Sequence, residues 1–132
     1  MNQGELFTSF LIDLQRIFRK KIVPKELSYS QIIAILVIPD DGIEMSELAL
    51  VMGLENSTVT RLIARLETNG FVKRSIIVLL KNKGLITQKN IEKKSDLIGQ
   101  EIFLNDAPSK KETVLENLSL FHWALKKTFL KR

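Results

Sequence analysis

Two short segments joined by a glycine turn, about Ser46 to Met52 and Asn56 to Thr68, constrain this chain more than any other feature. Gly53 ends the first, because a residue without Cβ takes the left-handed conformation that closes a helix. Leu54 is expected to pack inward as the turn crosses, Asn56 or Ser57 to cap the second helix, and Gly70 to close it. Two helices separated by so short a turn form the helix-turn-helix pattern. At about 100° per residue, Val59, Leu62, Ile63 and Leu66 share one face of the second helix. Ser57, Thr58, Arg61, Ala64, Arg65 and Thr68 collect on the other.

The flanking sequence reads as more helix. Between Glu5 and Ile22, Leu6, Phe7, Phe10, Leu11, Leu14, Ile17 and Phe18 recur at intervals of three and four, one apolar stripe. Pro24 stops that helix because it has no amide hydrogen to continue it. Ser28 or Ser30 caps a helix running to about Val37, with Ile32, Ile35 and Leu36 inward, and Pro39-Asp40-Asp41-Gly42 is a turn. Near the C-terminus, Asp106 or Ser109 caps a last helix with Pro108 in its first turn, striped by Val114, Leu118, Phe121, Leu125 and Phe129.

The stretch after Gly70 is ambiguous. Ser75 to Leu80 and Leu97 to Leu104 are rich in aliphatic and β-branched residues, which favours a β-hairpin. The run Leu79 to Ile86 also echoes Arg65 to Val72, glycine included. Either Phe71 to Lys89 forms a first hairpin, or Ile76 to Lys83 is an added helix and the hairpin runs from Leu85 to Leu104. The second fits slightly better.

Bulk properties narrow the class. The 132 residues suit one domain with a real core; 45% are hydrophobic and 27% charged, ordinary for a soluble globular protein. No apolar run approaches the roughly 18 residues a membrane span needs. Glu5, Asp13 and Arg16 interrupt the apolar N-terminus, which is an amphipathic helix rather than a secretion signal. Without cysteine there is no disulfide or thiolate metal site, and a cytoplasmic protein is the simplest expectation. His122 beside Trp123 is a surface or interface residue rather than a ligand, and no phosphate-cradling glycine loop or nucleophile grouping is visible. No catalytic residue, metal or cofactor is expected.

Charge is unevenly placed. Asn56 to Lys94 holds nine basic residues against two acidic ones, whereas Asp40 to Glu55 holds five acidic residues and no basic one. A cationic surface of this kind attracts a polyanion, although it also serves simply for solubility. The hydroxyl-rich start and the arginines one turn apart on the outer face of Asn56–Thr68 suit a major groove. There hydroxyls and the helix N-terminus hold phosphates, and arginine donates to guanine O6 and N7. A solvated outer face is the competing reading; position as the second helix of the pair favours DNA.

The residues from Leu27 to Arg74 resemble the MarR family of regulators. The resemblance lies in Leu27-Ser28-Tyr29-Ser30-Gln31, in Ser46-Glu47-Leu48-Ala49, and in Asn56 to Arg74 with its Ser-x-Val-Thr-Arg, then Leu-Glu, two residues and Gly. It implies a mainly α fold with a small β-hairpin wing: a winged helix-turn-helix over 28–105, flanked by dimerisation helices over 5–22 and 107–131. It further implies a homodimer on a pseudo-palindromic double-stranded DNA operator and a pocket for a small-molecule effector between the dimerisation and DNA-binding regions; the expected role is that of a repressor. Carried over, Ser57, Thr58, Thr60, Arg61 and Arg65 are recognition-helix positions near DNA, with Lys73 and Arg74 at the wing's base. Family wings carry an Asp-x-Arg element; here Asp96 is followed by Leu97 and Ile98, so Lys89, Lys93 and Lys94 have to supply wing charge. The contrasting expectation is a winged-helix module that docks proteins and leaves its basic face to solvent.

Overall fold

The computed structural model describes residues 1–104 and 108–130. It contains α1 (Gln3–Ile17), α2 (Tyr29–Val37), α3 (Met45–Met52), α4 (Asn56–Thr68), strands β1 (Val72–Arg74) and β2 (Val78–Leu80), α5 (Asn82–Leu104) and α6 (Pro108–Leu130). The architecture is mainly α with a small hairpin, as expected. Two compact units meet within α5, residues 1–95 and the residues from 96 onward.

The helix starts are chemically specified. Asn2 Oδ1 accepts from the Glu5 amide while the Glu5 carboxylate accepts from the Asn2 amide, a reciprocal cap. Ser28 and Gln31 do the same for α2, which selects Ser28 over Ser30. After α1, one wide turn spans Phe18–Ile22, with the Val23 amide donating to the Phe18 carbonyl. Pro24 cannot donate, so the helix goes no further.

In the first unit the core is Ile32, Ile35, Ile38, Leu48, Val59, Ile63, Leu66, Val72, Val78 and Ile91, all fully buried. Removing each such side chain from water contributes about 1.5–3 kcal/mol. Helix α3 packs on α2 and α4, and α4 packs on α2 and β1. Gly53 sits at φ 68° and closes α3 as expected. That turn directs Leu54 outward, leaving it 36% exposed, so the expected inward packing does not occur. The cap of α4 also differs: Glu55 is the extended residue before the helix and makes no side-chain cap, and Asn56 and Ser57 already lie in the first turn.

The hairpin corrects the preferred reading of 71–104. Strands β1 and β2 pair antiparallel, Val72 opposite Leu80 and Arg74 opposite Val78, around Ser75–Ile77. Ile43 bridges Val78 as a one-residue third strand. Leu85 to Leu104 is helix, because Leu85, Gln88, Ile91, Ser95 and Ile98 recur at three and four residues and form its less exposed side. Gly84 makes the join possible: a Cβ there would lie 2.3 Å from the Phe71 carbonyl oxygen. Helix α5 is locked to α2 by Gln88, whose buried Nε2 donates to the Ile35 and Ile38 carbonyls at 2.9 and 3.0 Å.

In the second unit, α6 starts at Pro108, so Ser109 lies inside the helix. Asp106 lies outside the described residues, as do the expected boundaries at 105, 107 and 131. Lys127 sits over the Trp123 ring, its Nζ 5.4 Å from the centroid. No helix among the described residues is long and apolar enough to cross a membrane.

Candidate nucleic-acid interface

Helix α4 turns Val59, Ile63 and Leu66 fully into the core. Its other side is thereby fixed outward: Ser57, Thr60, Arg61, Arg65 and Thr68 are exposed, and Thr58 and Ala64 half-buried. The amphipathic period alone enforces this, since rotating the helix to hide the arginines would expose three core side chains. Neither Arg61 nor Arg65 enters an ion pair with a described residue. The Thr60 and Thr68 hydroxyls donate back to the Asn56 and Ala64 carbonyls at 2.8 and 3.0 Å. Each therefore presents lone pairs outward, while the Ser57 hydroxyl keeps both roles. Gln31 of α2 joins Ala64, Arg65 and Thr68 in lining a depression of about 280 Å³, so the α2 start borders the outer face of α4.

The wing base is built by the same helix. Gly70, at φ 84°, turns the chain back, and Glu67 then accepts from both the backbone amide and the Nε of Arg74, each at 3.1 Å. Arg74 is thus a strut between α4 and β1, a role the residue pattern did not disclose. Lys73 on the same strand is exposed. The tip, Ser75-Ile76-Ile77, carries no charge, and Ile76 is 92% exposed.

Lys89, Lys93 and Lys94 are not in the wing. They are exposed residues of α5, beyond a hairpin that ends at Leu80. Their expected service as wing cations is overturned, because the hairpin uses only three residues per strand. Lys83, not singled out from sequence, holds the α4–β1 turn by donating to the Asn69 carbonyl at 2.8 Å while lying over the Phe71 ring. Among the described residues no group of three or more histidines or carboxylates is placed to hold a metal ion.

Two helices with a tight turn, followed by a short antiparallel hairpin bridged to Ile43 just ahead of α3, define a winged helix-turn-helix fold. Residues 40–78 match the model of the MarR family. The whole fold is similar to that of a Mycobacterium tuberculosis MarR family protein, Rv2887, solved in complex with DNA (TM-score 0.79, 16% identity, 92% of this chain and 98% of that one). It is similar also to Streptococcus pneumoniae FabT in complex with DNA (TM-score 0.79, 17% identity, 95% and 96% covered). A third likeness is to Staphylococcus aureus MepR bound to ethidium bromide (TM-score 0.63, 15% identity, 95% and 97% covered). No curated protein sequence matches. The family's sequence pattern is thus matched over α3, α4 and the hairpin, and the similar structures share the fold.

Proposed function

We propose that this chain is a sequence-specific transcriptional regulator that binds double-stranded DNA as a homodimer and acts in the cytoplasm as a repressor. The observation that carries the reading is the outer face of α4, where Arg61 and Arg65 stand exposed one turn apart without a described counter-ion. Each is positioned on its helix to donate to a guanine edge, and each such contact discriminates by about 1–3 kcal/mol. Ser57, Thr58, Thr60 and Lys73 surround them as phosphate or base contacts. Two of the similar structures were solved with DNA, which supports the same use of the fold here.

Dimerisation is supported by α1, which has no buried residue: Leu6, Leu11 and Leu14 are 58, 49 and 49% exposed. Leaving so much aliphatic surface in water forfeits about 25 cal/mol per Å² that a partner surface recovers. Helix α6 adds Leu125 and Phe129, 38 and 69% exposed. Homodimers place recognition helices about 34 Å apart, one turn of B-DNA, which suits a pseudo-palindromic operator. The ethidium complex of MepR supports a small-molecule effector, which acts by binding the DNA-competent and incompetent states with different affinity.

Selection of duplexes from a random pool, followed by anisotropy titrations, tests the reading. Arg61→Ala and Arg65→Ala are each expected to reduce the preference for the selected duplex by about 5- to 150-fold for each half-site of the dimer, matching about 1–3 kcal/mol per contact. Equal affinity of parent and variants for selected and random duplex refutes it. Leu11→Glu is expected to shift the dimer toward monomer in sedimentation velocity.

A further inference from the structure

Between Arg16 and Lys25 the chain carries five cations and no carboxylate, a density not used by α4 or the wing. Arg16 pairs with Asp13 on α1. Arg19, Lys20, Lys21 and Lys25 are exposed and enter no ion pair with a described residue. Like charges held together without counter-charges repel, so the cluster lowers the stability of the free protein. The local structure holds it in place nonetheless. The Arg19 guanidinium lies 4.8 Å from the centroid of the Tyr29 ring, and Phe18 meets that ring edge-on at 5.9 Å. This pins the start of the wide turn to the first residue of α2.

The result is an open depression of about 520 Å³ lined by Arg19, Lys20, Lys25, Ser28 and Ser30 among others. It is more polar than the concave, mainly apolar sites that enclose small ligands. Its position identifies the occupant. Ser30 lines this depression, and Gln31, the next residue, lines the one shared with Ala64, Arg65 and Thr68 of α4. The cationic depression therefore adjoins the outer face of the recognition helix along the first turn of α2.

We infer that the connection between α1 and α2 is a second nucleic-acid contact, in which Arg19, Lys20 and Lys25 grip backbone phosphates of the duplex flanking the groove that α4 enters. The inference rests on the proposed DNA binding by α4. It assigns the α1–α2 connection affinity and salt dependence, whereas Arg61 and Arg65 supply base preference, because phosphate contacts carry no sequence information directly.

The test is the salt dependence of binding to a mixed-sequence duplex of about 40 base pairs, long enough for backbone contacts beyond the half-sites. Each lost phosphate contact lowers the slope of log affinity against log salt by about 0.9. The double variant Lys20→Gln/Lys25→Gln removes two cations from each protomer of the dimer and is expected to lower it by about 3.6, equally on selected and random duplexes. Lys110→Gln/Lys111→Gln, with the same loss of charge on α6, is expected to leave it unchanged. An unchanged slope in the first variant, beside a preference that still depends on Arg61, overturns this inference alone. So does an equal fall in both double variants, which signifies net charge only. Calorimetric titration with inorganic phosphate separates a free-anion site: heat lost in Lys20→Gln/Lys25→Gln with an unchanged duplex slope also overturns it. A parent protein that retains no duplex at low salt removes both this contact and the role of α4.

Discussion

Gln88 is the side chain on which the placement of α5 depends, and its removal has a calculable cost. The carbonyl of Ile35, near the C-terminus of α2, would ordinarily accept from the amide four residues on. That residue is Pro39, which has no amide hydrogen. Gln88 replaces the missing donor and serves the Ile38 carbonyl with the same nitrogen, at 2.9 and 3.0 Å, in a site where it is only 9% exposed. Gln88→Leu keeps the volume but strands two carbonyls in the interior. At about 1–3 kcal/mol for each unsatisfied buried group, less the partial relief of burying an apolar side chain, the loss is about 2–4 kcal/mol. Gln88→Glu is expected to cost more, since an ionised carboxylate offers only acceptors to two carbonyl oxygens. Urea unfolding at one fixed protein concentration measures both, the fixed concentration removing any contribution from association. A Gln88→Leu midpoint within error of the parent, at unchanged m, would refute the assignment of Gln88 as the cap of α2.

Gly84→Ala is expected to destabilise by about 3 kcal/mol, because its Cβ would fall 2.3 Å from a backbone oxygen that cannot swing away. Gly99→Ala, in the same helix with nothing within 4 Å of the added carbon, is expected to stabilise by about 0.5–1 kcal/mol, and thermal melts compare the two. Glu67→Ala releases both contacts to Arg74; with the pair 36 and 37% exposed, the expected loss is only about 1 kcal/mol in urea unfolding. Ile76→Arg places a cation at the uncharged wing tip of each protomer, and is expected to tighten duplex binding and steepen the salt slope of the dimer by about 1.8, as read by anisotropy.

The helix-turn-helix was legible because its signals are local. The apolar stripe of α4 and the left-handed glycine at Gly53 each act within one or two turns of chain, and both stand where the sequence places them. The hairpin was not, because strands of three residues are too short to show alternation. The helical period of α5 was obscured by Gln88 and Ser95, polar residues on its less exposed side; Gln88 finds its acceptors 53 and 50 residues away. The repeat of Leu79–Ile86 upon Arg65–Val72 misled for a related reason. Gly70 is needed for its positive φ, whereas Gly84 is needed for the missing Cβ against Phe71. One letter answers two different physical demands, and only the tertiary contact tells them apart. The outer face of α4 needed no such contact. The Glu67–Arg74 strut did, since it forms only after Gly70 has reversed the chain.

The short wing bears on how charge is distributed for the proposed DNA binding. Its tip is uncharged, and Arg74 at its base is already engaged by Glu67. The lysines expected to compensate belong to α5. Lys73 is the one exposed wing-strand cation without a described ion pair, so under the proposed DNA binding most of the electrostatic grip has to arise elsewhere. The α1–α2 connection, with four exposed cations beside the start of α2, is the region of the first unit that meets this need next to the face of α4. Such a division separates two properties that a basic wing would mix. Substitutions at Arg61 and Arg65 alter which duplex is preferred, and substitutions at Lys20 and Lys25 alter how steeply every duplex is released by salt. The two effects on free energy should then add, because the side chains share no partner. Strong coupling between Arg65→Ala and Lys25→Gln would instead mean that both cations hold the same stretch of backbone.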